Sequence, residues 1–256
     1  MKPLEFDNQT KPMIEVFENW KTFGNESSLE DLRIIVPLMR TYFQCPKAHK
    51  RRYNPLHHAV RIGDLKFIKL SHSFQIDFGT LDRYKRNLFH IACLTEKNQI
   101  EVLEVLMQYS KEKNLNVNHS DGTCAPMHQA CNLGQIEVVK LLLNSENIDV
   151  NALDMNGKHP LHYACKSNRV DIVKMLLNSK NINTNPLYFG MTLLHFACLT
   201  GSIAIVEVLL DVIEDLDIAL ETKNSRGKTP IEVAKESGQF AIVKLLKQRT
   251  LKINCL

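Results

Sequence analysis

Apolar residues recur along the chain in short helical runs, and the same run comes back again and again. Leu65 and Ile68, Ile136 and Val139, Val170 and Val173, Ile203 and Val206, and Phe240 and Val243 are pairs three residues apart, which share one face of a helix. Eight residues before each pair stands His57, His128, His162, His195 or Glu232. Each of these lies in a short segment rich in proline and leucine, such as Asn54-Pro55-Leu56-His57, Ala125-Pro126-Met127-His128 or His159-Pro160-Leu161-His162. His90, in Asn87-Leu88-Phe89-His90, belongs to the same series, and the six positions are separated by 33, 38, 34, 33 and 37 residues. Two residues after each comes an alanine: Ala59, Ala92, Ala130, Ala164, Ala197 and Ala234. In the second copy Ile100 and Leu103 take over the later run with an offset of two, so a short insertion falls between Leu94 and Gln99. Gly63, Gly134, Gly201 and Gly238 separate the two runs, where a helix end favours a residue that tolerates positive φ. Each unit therefore predicts helix, tight turn, helix.

Gly157, Gly190 and Gly227 stand five residues ahead of the motif position, and Asp154 and Asn156 supply turn chemistry, which predicts a β-turn finger between units. Thr-Pro-Leu-His-x-Ala at a period near 33 residues is the signature that this series resembles, that of the ankyrin repeat family. The resemblance runs from about Tyr53 to Arg249. A competing solenoid of 34-residue period places a tryptophan and a tyrosine in every unit, whereas this chain has one tryptophan in total. The resemblance implies an α fold, a helical solenoid of six ankyrin repeats over 53–249. A helix pair of this size cannot enclose its own apolar face, so the units stack and share one core. Residues 1–52 lack the motif but keep helical spacing at Met13, Ile14, Phe17 and Trp20, then at Leu29, Leu32, Ile35, Val36 and Met39. They are expected to form an N-terminal helical cap or degenerate repeat, and 250–256 a C-terminal tail.

Composition sharpens this without redirecting it. The hydrophobic share is 44% and the charged share 23%, near the average of globular proteins, and the formal charge of +4 gives no support to direct nucleic-acid binding. The most apolar stretch, Ile203 to Leu220, is interrupted by five acidic residues, so no membrane span is expected. The seven cysteines are scattered, and with no secretory leader they are expected to be reduced, in the cytoplasm or the nucleus. Locally the charge is polarised. Lys47, Lys50, Arg51, Arg52, Arg61, Lys66 and Lys69 face Asp64 alone between Pro46 and Leu70, while Ile203 to Thr222 holds six acidic residues and no basic one.

His-x-x-Cys recurs at His90/Cys93, His128/Cys131, His162/Cys165 and His195/Cys198, a spacing that in isolation suggests metal ligands. Here each pair falls on a repeat position that a small buried residue normally occupies, so structural cysteines are expected and no metal site, cofactor or catalytic residue. The family resemblance implies a non-enzymatic module that binds another protein on a concave face made of finger tips and inner-helix ends. Carried onto this sequence, that face comprises Leu133, Met155, Asn156, Lys158, Tyr188, Phe189, Met191, Leu199, Arg226 and Lys228. Tyr188 and Phe189 stand where a turn normally carries polar residues, and with Met191, Leu199 and Met155 they are expected to form an apolar patch that binds a partner, against the alternative that this finger folds its aromatics back onto the next unit. A runner-up function is a regulatory or targeting subunit whose basic edge near the first unit docks an anionic partner. Leu143 to Asn151 resembles the hairpin context in which asparaginyl hydroxylases modify ankyrin repeats. Asn151 is the candidate acceptor, against the alternative that it bonds the hairpin backbone, as its counterparts Asn118 and Asn185 are also expected to.

Overall fold

The computed structural model describes residues 55–253 apart from Phe74, Gln75, Glu96 and Glu214. Among them there is no strand, and one isolated bridge pairs Tyr188 with Met191. The chain divides into two compact units, one up to Leu115 and one from Asn116. The expected cap at 1–52 and the cations Lys47, Lys50, Arg51 and Arg52 lie outside the described residues.

In the first unit, α1 (Pro55–Ile62) pairs with α2 (Leu65–Ser73), and α3 (Leu88–Ala92) pairs with α4 (Gln99–Lys113). The two pairs stack α1 on α3 and α2 on α4. Their shared core holds Leu56, Ala59, Ile68, Leu88, Ala92, Leu103 and Leu106, all buried, with the two alanines allowing close approach of the inner helices. The insertion predicted after Leu94 is used: Thr95 Oγ1 donates to Val60 O at 2.9 Å and Asn98 Nδ2 to Gly63 O at 2.9 Å, which fastens the longer turn to the preceding one.

The second unit repeats the plan four times. The inner helices are α5 (Pro126–Leu133), α7 (Pro160–Lys166), α9 (Leu193–Thr200) and α12 (Pro230–Glu236), each packed on the next. The outer helices are α6 (Ile136–Leu143), α8 (Val170–Leu177), α10 (Ile203–Val212) and α13 (Phe240–Ile253). Proline opens three of the inner helices, where its missing N–H and fixed φ cost nothing. An extra short helix, α11 (Leu216–Glu221), occupies the acidic segment ahead of the last repeat. The last outer helix continues to Ile253, so the tail expected from residue 250 begins inside a helix, with Thr250 Oγ1 donating to Leu246 O at 3.0 Å.

The inter-helix glycines adopt the predicted positive φ, from 72° to 78°, and Asn168 supplies the same backbone at 53° in the fourth repeat. Cys131, Cys165 and Cys198 are fully buried beside the repeat alanines. Burial pushes the thiols of Cys165 and Cys198 up to about 12, so they pack as small apolar groups.

Candidate functional site

The fingers of the second unit decide what its inner-helix side presents. In the fourth finger Asp154 sits at the corner. Its Oδ1 accepts from Asn156 N at 2.7 Å and Lys158 N at 2.8 Å, its Oδ2 accepts from Tyr163 Oη at 2.7 Å, and its own N–H donates to Lys158 O at 2.9 Å. Burial opposes ionisation of this carboxyl, yet the bonds from Lys158, Tyr163 and Asn156 together hold it below the usual carboxylate range. Asn224 closes the sixth finger in the same way, accepting from Arg226 N at 2.9 Å and Lys228 N at 3.1 Å.

The motif histidines tie each finger to the repeat before it. His128 Nδ1 accepts from Ala125 N at 3.2 Å and His195 Nδ1 from Thr192 N at 3.3 Å, so the proton sits on Nε2. That Nε2–H donates to Lys158 O at 3.0 Å from His128 and to Lys228 O at 2.9 Å from His195. Burial outweighs these bonds and holds both imidazoles below their ordinary pKa, hence neutral. In the last repeat Glu232 takes the Nδ1 role, accepting from Thr229 N at 2.8 Å.

The fifth finger breaks this scheme. Tyr188 stands at the corner that Asp154 and Asn224 hold elsewhere, and a phenol cannot collect the turn's N–H groups. Instead Tyr188 N donates to Met191 O at 3.0 Å and Met191 N to Tyr188 O at 3.0 Å, with Phe189 at φ 50° and Gly190 at φ 68° between them. Positive φ at both central residues is what a two-residue hairpin of the mirror-image type requires. Glycine is needed at 190 for a second reason, because a Cβ there would stand 2.8 Å from Ser225 N. His162 Nδ1 still accepts from His159 N at 3.1 Å, but its buried Nε2 has no hydrogen-bond partner among the described residues. Aromatic rings surround it instead, Phe196 edge-on at 5.4 Å and Tyr188 tilted at 5.7 Å. Burial above all, with His159 and Lys158 adding to it, pushes the His162 imidazole down to about 4.

The two aromatics of this finger meet edge to face, with ring centroids 4.6 Å apart, but differ in burial. Tyr188 is half-buried, folded back onto His162 of the preceding repeat and covered by Lys158 Nζ at 4.7 Å from its ring, whereas Phe189 is 71% exposed. Below Phe189 opens a groove of about 500 Å³ between the fifth and sixth repeats. Of the residues expected on this face, Phe189, Met191, Leu199, Arg226 and Lys228 line it. Leu133, Met155, Asn156, Lys158 and Tyr188 do not. Met155, 68% exposed, belongs to the fourth finger, where its N–H donates to Thr123 O at 3.0 Å, and it is not among the residues that line the groove. Asn224 and Val233 line the groove without having been singled out, although counting five residues back from each helix cap aligns Asn224 with Asp154. Lys228 Nζ is paired with Glu236 Oε1 at 2.6 Å, while the Arg226 guanidinium has no partner among the described residues.

Asn151 has a bonded place in the hairpins. Its Nδ2 donates to Asn181 O at 2.7 Å and its Oδ1 accepts from Asn183 N at 2.8 Å. Asn118 clamps Asn147 O and Asp149 N one repeat earlier in the same way, at 2.6 and 2.8 Å. The ladder stops at Asn185, whose side chain finds no such pair among the described residues. Among the described residues no group of three His, Cys, Asp or Glu is placed to hold a metal ion, and no helix is long and apolar enough to cross a membrane.

A family model described as ankyrin repeats in three copies matches residues 96–186 and 178–255, more than half of the chain. No curated protein matches it. With the helix pairs, the histidine-to-finger bonds and this match in agreement, the chain belongs to the ankyrin repeat family.

Proposed function

We propose that this chain is a non-enzymatic binding module that holds a partner protein on the finger and inner-helix side of its second unit, centred on the groove beneath Phe189. Ankyrin repeats are in general protein–protein interaction modules. The observation that carries the reading to this groove is Phe189 itself. A large apolar side chain is held outward in a left-handed backbone that disfavours it by about 1–2 kcal/mol, over a groove with an apolar floor. Strain of that kind concentrates at functional sites, and exposed aromatics on a rigid support are what binding hot spots are made of. A preformed face also loses little ordering entropy on docking.

Crosslinking capture from cells with the intact chain and with Phe189→Asp tests the reading. The expected result is loss of the captured partner from Phe189→Asp while its circular dichroism and thermal melt stay unchanged. A partner captured equally well by both proteins would place the interface elsewhere.

A further inference from the structure

The charges around the groove restrict what fits it. Its floor is apolar, formed by Met191, Leu199 and Val233 under the exposed Phe189 ring. Its rim carries Arg226 and Lys228. Glu236 is the one carboxylate lining it, and its Oε1 is taken by Lys228. Asp154, the other acid of the neighbouring finger, is buried and spends its oxygens on its own turn and on Tyr163. Lys158 and Lys166 lie on the same side one repeat earlier, with no anionic partner among the described residues. Glu232 also acts on Lys228, with Lys223 beside it, so the positive surplus at the rim rests on Arg226, whose guanidinium has no partner among the described residues. A guanidinium left open beside an apolar pocket suits a carboxylate, which it can grip through two parallel N–H donors while a neighbouring side chain enters the pocket.

Resting on the groove reading above, we propose that the partner enters as an extended acidic peptide segment. A bulky apolar side chain of the segment seats under Phe189 against Leu199 and Val233, and an adjacent Asp or Glu pairs with Arg226. Lys228 is a second anchor that Glu236 partly neutralises, so Glu236 tunes how strongly the groove selects negative charge.

The test is a selection of random displayed 12-residue peptides on the immobilised full chain, followed by fluorescence-polarisation titration of the enriched sequences. Enriched peptides are expected to carry a large apolar residue within two positions of Asp or Glu. Arg226→Glu is expected to weaken them at least about tenfold and to favour basic sequences instead, with an unchanged melt, since Arg226 is an exposed finger residue. Glu236→Gln is expected to tighten them about two- to threefold by releasing Lys228. Enrichment of neutral or basic peptides, affinities indifferent to Arg226→Glu, or no enrichment at all would overturn the proposal. If enriched peptides are lost with Phe189→Asp but ignore charge, the groove reading stands and the acidic occupant falls. If they ignore Phe189→Asp as well, the groove reading falls too. Concentration-dependent self-association removed by Arg226→Glu would assign the groove to a second copy of the chain and also overturn the proposal.

Discussion

The fourth and fifth fingers occupy equivalent places in successive repeats and solve the same closure problem with different chemistry. The fourth is closed by a buried carboxylate that holds two backbone N–H groups and a phenol, and it offers its Lys158 carbonyl to His128. The fifth has a tyrosine at that corner, closes through a two-residue hairpin, and leaves His162 among rings instead of on a carbonyl. Polar closure turns the carboxylate of Asp154 inward and leaves the unbranched Met155 exposed at the tip. Aromatic closure satisfies fewer hydrogen bonds and thrusts Phe189 outward. One finger is built to hold the stack, and the other gives up part of that hold for a surface.

The largest effect is expected at the polar finger. Asp154→Ala removes acceptors from Asn156 N, Lys158 N and Tyr163 Oη, and bonds to a buried charged group make this cost about 3 kcal/mol or more. The urea midpoint is the measure. In the same variant the Tyr163 phenol, now raised well above its ordinary range by burial and then by Asp154, is expected to titrate at lower pH in the 295 nm absorbance. A small loss would mean that the carboxylate does not close the turn.

Acidification comes next and bears on the aromatic finger. His162 has a folded pKa of about 4 against an ordinary 6.5, so the folded state binds fewer protons than the unfolded one between these values. The stability that goes with a neutral His162 is therefore fully present above pH 6.5 and is lost as the pH falls toward 4, on the order of 3 kcal/mol over the window. Urea midpoints between pH 7.5 and 4.5 should show this slope together with that of His57, His128, His159 and His195, whose imidazoles burial also holds below their ordinary pKa, and His162→Gln should reduce it by the share of His162. A slope unaltered by the substitution would remove His162 as a source of it.

The two histidines can also be compared directly. His128→Ala gives up a bond to Lys158 O, whereas His162→Ala deletes an Nε2–H that is already buried without a partner, a state that costs about 1–3 kcal/mol. His162→Ala is expected to be the milder by about 1–2 kcal/mol in denaturant titration. Equal losses would erase the distinction between the fingers. The smallest effect is expected at the tip. Phe189→Asn places the residue that best tolerates positive φ before Gly190 and is expected to raise stability by up to about 1 kcal/mol while reducing partner binding. A loss of stability would show that the exposed ring contributes to folding.

Much of this was legible along the chain. The alanine two residues after each motif position and the glycines between helices described contacts that recur from repeat to repeat, and the offset at Ile100 marked the one longer turn, though not its bonds to Val60 and Gly63. Tyr188 was visible as a misfit because a finger corner wants an acceptor side chain. A fold-back onto the next unit was an open alternative, but Tyr188 turns onto the preceding repeat instead, which depends on rings at His162 and Phe196, the former 26 residues away in sequence. That Asn151 bonds hairpin backbone was legible from its place in the repeat, but not that this backbone belongs to Asn181 and Asn183 about 30 residues on, which nothing local to Asn151 signals.

By itself the sequence determined the register of the repeats, the inner and outer helices and the small side chains that let them stack, because helical periodicity and turn chemistry act within a few residues. Only the tertiary structure decided that Tyr188 is spent on the core while Phe189 is left to the surface, that Arg226 stands open beside an apolar groove, and that His162 is the motif histidine of the second unit left without a carbonyl. Each of these depends on which group of the next repeat arrives within a few ångströms, and a single substituted corner residue changes that arrival.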